Sequence, residues 1–139
     1  MSIHSFRSAA GTIEFAEFGP ARSPHPPLVL VHGGGVTMQS YLRTPDGRPG
    51  WGPRLGQNGF RVIVPTWPGL SSTGRWASSG LSGEAVASAL AELIAGLGRP
   101  VVLVVHSMAA TFGYWIASRR RHLVRALVAL APAPPGDIQ

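Results

Sequence analysis

Apolar and polar positions alternate from Ile3 to Ala9 and again from Thr12 to Phe18, on either side of Ala10-Gly11. A period of two interrupted by a glycine turn predicts an antiparallel hairpin at the edge of a sheet. The segment from Pro20 to Pro27, with Pro24, Pro26 and Pro27 inside it, cannot pair in a sheet and reads as a connector. Beyond it the pattern changes to short unbroken apolar runs, Leu28-Val29-Leu30-Val31 and Val101-Val102-Leu103-Val104-Val105. Runs of that length, rich in β-branched residues, predict parallel strands buried on both faces. Phe60 to Val64 and Leu123 to Ala131 supply two further strands, the last also expected to be buried.

Helical spacing separates these runs. Ser82 can cap a helix that carries Glu84 in its first turn, places Val86, Leu90, Leu93, Ile94 and Leu97 on one face, and ends at Gly96 or Gly98. Trp51 to Asn58 reads as a short helix closed by Gly59. Met108 to Arg121 reads as a longer one, with Phe112, Trp115 and Ile116 turned to the core. Val36 to Gly50 and Leu70 to Gly80 are rich in turn formers and small polar residues and read as loops. After the hairpin the order is strand, loop, helix, strand, helix, strand, helix, strand. That alternation predicts an α/β fold in one domain, with a mostly parallel sheet and helices on both faces. Open sheets of this kind bind ligands at the carboxyl ends of their strands. Gly33 to Gly35, Thr66 to Gly69, Ser107 and the turn after Ala131 all fall at that edge.

Composition narrows the class. A chain of 139 residues with 45% hydrophobic and 13% charged residues has enough apolar material for one core and too little charge for disorder. No apolar run is long enough to cross a membrane. Met1 to Arg7 lacks the apolar centre of a secretory signal, so a cytoplasmic location is expected. The absence of cysteine excludes a disulfide framework, a thiolate zinc site and a cysteine nucleophile; no metal and no cofactor are expected. All 12 basic residues are arginine, which gives a net charge of +6. They are scattered except at Arg119, Arg120 and Arg121, where cations complement the carbonyl end of a helix. Together with 18 glycines and 13 prolines, the lack of lysine points to a coding bias, so neither a nucleic-acid nor a membrane partner is expected.

Candidate chemistry sits at two strand ends. Ser107 follows the Val101 run where strand gives way to helix. A serine there is either a simple N-cap or a nucleophile lifted off the sheet, with the first free helix amides aimed at charge that develops beside it. His32-Gly33-Gly34-Gly35 ends the Leu28 run. Three glycines at a strand end let backbone amides approach a ligand with no side chain in the way.

His32-Gly33-Gly34-Gly35, Thr66-Trp67-Pro68-Gly69, His106-Ser107-Met108 and the strand Leu127-Val128-Ala129-Leu130 occur in the order and approximate spacing of an oxyanion loop, an Asp-x-Pro-Gly turn, a nucleophile elbow and the strand after it. In these features the chain resembles the N-terminal part of an α/β-hydrolase. The segment Thr44 to Trp51 is similar to a subset of bacterial esterases within that superfamily. The resemblance implies a partial α/β-hydrolase fold and hydrolysis of a small-molecule carboxylic ester by acyl transfer. It makes Ser107 the nucleophile, puts the oxyanion on the amides of Gly34 and Met108 with Gly35 beside them, and leaves His32 and Gly33 to support the loop.

The chain departs from the family pattern at several positions. Val105 and Ala109 stand where the elbow pattern Gly-x-Ser-x-Gly has glycine, and a valine has the bulk to loosen or reshape a strained turn. Thr66 replaces the usual aspartate of the turn, a change expected to be neutral to the chemistry. The family's catalytic histidine lies well beyond position 139, and none of His4, His25, His32, His106 or His122 is placed to serve as the base. Ala131 occupies the position where esterase relatives carry an acidic partner, which leaves Asp137 as a weak candidate for it; Glu84 and Glu92 read as helix charges. The expectation is an incomplete domain over residues 1–139, without the C-terminal strands and the histidine region, catalytically weak or inactive by itself. The alternative is a non-catalytic module for binding or assembly, self-associating through the uncovered edge of the Leu123 to Ala131 strand.

Overall fold

The structure, a computed structural model, describes residues 2–75 and 81–134. The hairpin forms as its alternation predicts, β1 over Ser2–Ser8 and β2 over Gly11–Phe18, in antiparallel register from Ser2 opposite Glu17 to Ser8 opposite Gly11. β3 spans Leu28–Val31, followed by helices α1 over Gln39–Leu42 and α2 over Trp51–Gln57. β4 covers Val62–Pro65, α3 Gly83–Gly96 and β5 Val101–His106. A 3₁₀ turn over Ser107–Ala109 leads into α4 over Ala110–Arg119. A second 3₁₀ turn over Arg121–Leu123 then leads into β6 over Val124–Leu130.

The strands form one sheet in the order β1-β2-β4-β3-β5-β6. β3 pairs in parallel with β4 and β5, and β5 in parallel with β6, while β2 joins β4 antiparallel. Strand parity then sorts the core into two layers. Ile13, Val29, Val31, Ile63, Val101, Leu103 and Val105 face α3 and α4, which bury Leu90, Leu93, Ile94, Phe112 and Ile116 against them. Ala16, Leu30, Val62, Val64 and Val104 face the opposite side, where Met38, Tyr41 and Leu42 complete a smaller cluster. The Ser82 hydroxyl accepts a hydrogen bond from the Ala85 amide at 3.1 Å, so α3 starts at its expected cap.

The structure corrects several expectations. Val36 to Gly50 holds helix α1. Met38, Tyr41 and Leu42, spaced by three and four residues, are all buried, and Thr37 holds the first turn through its hydroxyl on the Gln39 amide and its carbonyl on the Ser40 amide. Leu70 is not a surface residue: it is buried, and the following turn is tied to β2 by the Ser72 amide on the Glu14 carboxylate. The Met108 helix is divided into the 3₁₀ turn and α4. Trp115 packs against the core as expected but remains half-buried, with Arg119 and Arg120 over its ring at 5.7 and 5.6 Å.

The last strand has the uncovered edge that was expected, but not the buried faces. β6 is an edge strand on which Arg125, Ala126, Val128 and Ala129 are exposed. On the face that carries α2, the helix covers β2 and β4 but stops short of β5 and β6. An apolar groove of about 500 Å³ is left there, walled by Leu30, Val104, Val128 and Leu130 on the sheet and by Trp51 and Leu55 on α2.

α2 is seated tightly where it does make contact. A Cβ on Gly56 would lie 2.8 Å from the backbone nitrogen of Gly19 and 2.8 Å from Cβ of Phe18. Alanine in a helix interior ordinarily gains roughly 0.5–1 kcal/mol over glycine, but forcing a carbon against backbone costs about 1–3 kcal/mol. Gly56→Ala is therefore expected to destabilise the fold, read as a lower urea midpoint than that of the unsubstituted chain.

Candidate functional site

The carboxyl ends of β3, β4 and β5 converge, as parallel pairing at Val31 opposite Val105 requires. At the end of β5 the chain does not cap a helix with its serine. Ser107 has φ 53°, a left-handed conformation that a residue with a Cβ adopts only under constraint. The helix caps nearby make no side-chain hydrogen bond, so the N-cap alternative is overturned. Two backbone bonds converge on the Ser107 carbonyl, from the Ala110 amide within the 3₁₀ turn and from the Ala133 amide at 3.0 Å. The second bond fastens the segment after β6 to the elbow. Ala131, where the esterase pattern has its acid, also holds positive φ, at 42°; Asp137 lies outside the described residues.

The glycine loop after β3 packs directly on this bend. A Cβ on Gly33 would stand 3.3 Å from Cβ of Ser107 and 3.1 Å from Nδ1 of His106. One on Gly34 would stand 3.3 Å from both Sδ and Cε of Met108. A side chain at Gly33 would crowd Ser107 itself, whereas one at Gly34 would displace only the flexible tip of Met108, so the close approach to the serine rests on Gly33. Gly35 turns the chain away with φ 77°, and a Cβ there would meet nothing. The structure thus brings together Gly33, Gly34, Ser107 and Met108. Met108 is the second residue of the Ser107–Ala109 turn, within the first turn, whose amides have no acceptor inside the helix.

His32 is 1% exposed, beneath this loop. Its Nδ1–H donates to the Gly33 carbonyl at 2.8 Å, which fixes the tautomer because a carbonyl can only accept. Nε2 then carries the lone pair, with no hydrogen-bond partner among the described residues. Burial lowers the pKa of His32 below its ordinary value, and the bond to Gly33 opposes that shift only in part. A neutral ring tied to the loop is suited to orienting the Gly33 peptide.

Trp67, which carries no role in the sequence reading, proves central. Its Nε1–H donates to the His32 carbonyl at 2.9 Å, and its ring stacks on His32 at 5.4 Å and an interplanar angle of 9°. Its far edge would lie 3.6 Å from a Cβ on Gly34, and Phe112 of α4 meets its face edge-on at 5.0 Å. Trp67 thus links the β4 turn, the glycine loop and α4. The signal available beforehand was a large aromatic inside a turn at the ligand-binding edge of the sheet. Thr66 is buried and satisfied, its hydroxyl donating to the Glu14 carbonyl at 3.0 Å. An apolar cavity of about 150 Å³ lies beside the loop, between Val36 and Thr37 on one side and Trp67 and Leu70 on the other.

The remaining histidines make no hydrogen bond to the serine, although the His106 ring borders the glycine loop at Gly33. His106 is exposed, and strand parity puts it on the face opposite Val105. His4 stacks on Phe15 and His25 packs against Phe60, both far along the chain from the elbow. Among the described residues no histidine makes a hydrogen bond to Ser107, and no cluster of histidine and acidic residues could hold a metal ion.

A sheet with this order, a strained serine after its fifth strand and a glycine loop packed on that serine define the α/β-hydrolase class. The chain belongs to the alpha/beta hydrolase family, whose model matches residues 28–139. It is 26% identical over 185 aligned positions to the fungal protein named "Probable secreted lipase phiG" (Fungal sp., strain ATCC 74256), covering 91% of this chain and 50% of that one. Its fold is similar to a thioesterase domain from the curacin biosynthetic pathway (TM-score 0.75, 22% identity, 99% of this chain and 48% of the other). It is likewise similar to a membrane phospholipase A described as a bacterial virulence factor (TM-score 0.77, 23% identity, 95% and 40%). An epoxide hydrolase from Vigna radiata matches at TM-score 0.73 and 22% identity, over 98% and 42%. The chain spans about half the length of these relatives.

The buried neutral His32 makes stability depend on pH. Unfolded, it takes up a proton near its ordinary value of 6.5, while in the folded chain it stays neutral to lower pH. The unfolded state therefore binds more protons in that window, and stability falls as pH drops below 6.5, by at most about 1.4 kcal/mol per pH unit from this one group. His32→Phe is expected to flatten that part of the profile of thermal midpoint against pH between 7 and 5.

Proposed function

We propose that Ser107 is the nucleophile of a serine hydrolase that cleaves carboxylic esters by acyl transfer. The observation that carries this is the left-handed Ser107, φ 53°, in packing contact with the Gly33-Gly34 loop. Backbone strain of this kind costs on the order of 1–3 kcal/mol and persists where the surroundings enforce it. In the proposed reaction the Ser107 oxygen adds to the ester carbonyl while the amides of Gly34 and Met108, with Gly35 beside them, receive the developing oxyanion. Loss of one such donor costs roughly 100- to 1000-fold in rate. The alcohol leaves with a proton, and water then cleaves the acyl-serine bond.

The nature of the nucleophile favours esters over the epoxide substrate of some structural neighbours. A serine oxygen that opened an epoxide would form an ether, which water does not cleave, whereas an acyl-serine ester returns the free serine. Removing the serine proton needs a base with an orienting carboxylate. We assign that pair to segments outside the described residues of the complete enzyme and expect the 139-residue chain by itself to turn over esters very weakly or not at all. Treating the isolated chain with a fluorophosphonate probe tests this: slow, substoichiometric labelling that disappears in Ser107→Ala is expected. Labelling at another residue would remove Ser107 from its role, and rapid stoichiometric labelling of Ser107 would show that the chain alone suffices.

A second reading, a non-catalytic module that assembles through its sheet edge, is favoured by the exposure of β6 and by the apolar groove beside it. Unpaired edges with exposed apolar side chains are templates for pairing. Sedimentation of the chain across a hundredfold concentration range distinguishes the two: a rising average mass supports assembly, and a constant monomer mass rejects it.

A further inference from the structure

The elbow of this chain puts valine where its family's pattern has glycine, yet the bend is formed and Val105 is completely buried. The space for it comes from the helix. A Cβ on Gly113, in α4, would lie 3.0 Å from both Cγ1 and Cγ2 of Val105 and 3.0 Å from Cδ1 of Leu127. Equal distances to the two methyl groups mean that both crowd the position a Gly113 side chain would take. Valine is stiff at χ1 and Val105 is enclosed on every side, so turning its methyls away from Gly113 presses them into other neighbours.

We propose that Val105 and Gly113 are an interlocked positioning pair. The close approach of helix to strand that a strand glycine would ordinarily permit is supplied here by a glycine on the helix. The pair sets how far α4 stands off β5. Because α4 continues directly from the Ser107–Ala109 turn, it also sets where the Met108 amide lies relative to the serine. Neither residue touches a reacting atom; they act through the placement of the elbow. The link to rate rests on the acyl-transfer proposal above, whereas the interlock itself does not.

Three variants separate these points: Gly113→Ala, Val105→Ala and the two combined. Gly113→Ala overfills the contact and Val105→Ala empties it, so each alone is expected to lower the urea midpoint. Together they exchange bulk across the same gap, and the double variant is expected to recover most of the loss. Midpoint changes that simply add would overturn the interlock. The Met108 amide resonance reports position without requiring activity. It should move in Gly113→Ala and return in the double variant, and an unmoved resonance would reject the positioning role.

For chemistry, the fluorophosphonate labelling rate of Ser107 is expected to fall about 10- to 100-fold in Gly113→Ala, since sub-ångström misplacement of a reacting group is costly. It should be restored in the double variant. Coupled midpoints with a labelling rate indifferent to Gly113→Ala would detach the pair from catalysis. No labelling in any variant, the unsubstituted chain included, would count against the acyl-transfer proposal while leaving the interlock to be decided by the midpoints and the resonance.

Discussion

Everything at the working edge of this sheet depends on room. A serine bend at φ 53° is unfavourable by roughly 1–2 kcal/mol for a residue with a Cβ, and it can be held only if neighbouring backbone closes on it from several sides. Gly33 approaches from β3 because it carries no side chain. The Ala133 amide reaches the Ser107 carbonyl from beyond β6, and the small residues Ala109 and Gly113 let α4 lie close behind. The strain is thus stabilised by contacts from three different segments. The result is a serine whose Cβ lies against a loop made of backbone.

Beneath that loop the site is held by aromatic packing joined to two directed hydrogen bonds. The His32 ring fixes the Gly33 carbonyl, and the Trp67 indole fixes the His32 carbonyl while stacking on the same ring. A buried carbonyl deprived of its donor is destabilised by about 1–3 kcal/mol, so the loop cannot easily rotate its peptides away. A glycine-rich loop would otherwise sample many conformations. Here its freedom is removed by the neighbours below it, which permits close approach to Ser107 without making the loop mobile.

Much of this was legible beforehand, and the pattern of what was not has physical causes. The buried strands Leu28–Val31 and Val101–His106 announced themselves as apolar runs between glycine and proline, and the Ser82 cap and the face of α3 followed from helical spacing. Helix α1 escaped notice because its four residues are too few to display a period, and its apolar positions are shared with Met38 outside it. Leu70 was lost among small polar neighbours, although one large apolar residue in such a stretch is itself a sign of an anchored loop. The bulk of Val105 suggested a loosened elbow. The answering cavity lies eight residues on, at Gly113, and a one-dimensional pattern does not show which helix position faces which strand position.

The same distinction explains β6. Its sequence, Val124-Arg125-Ala126-Leu127-Val128-Ala129-Leu130, is nearly continuous in apolar character and reads as a strand covered on both faces, yet in the structure residues on both faces are exposed and one edge is unpaired. Composition reports the environment for which a strand is suited, whereas the coordinates report the environment it has. Val104, Val128 and Leu130 line a groove whose sequence calls for a cover, while Val29, Val31, Leu103 and Val105 are already covered by α3 and α4. The chain spans about half the length of its relatives, and the mismatch is confined to β6 and the groove beside it. The elbow, the glycine loop and their aromatic support are all built on the finished side, from β3, β4, β5 and α4. The serine bend and the glycine loop, the features on which the acyl-transfer proposal rests, are therefore formed by the described residues themselves.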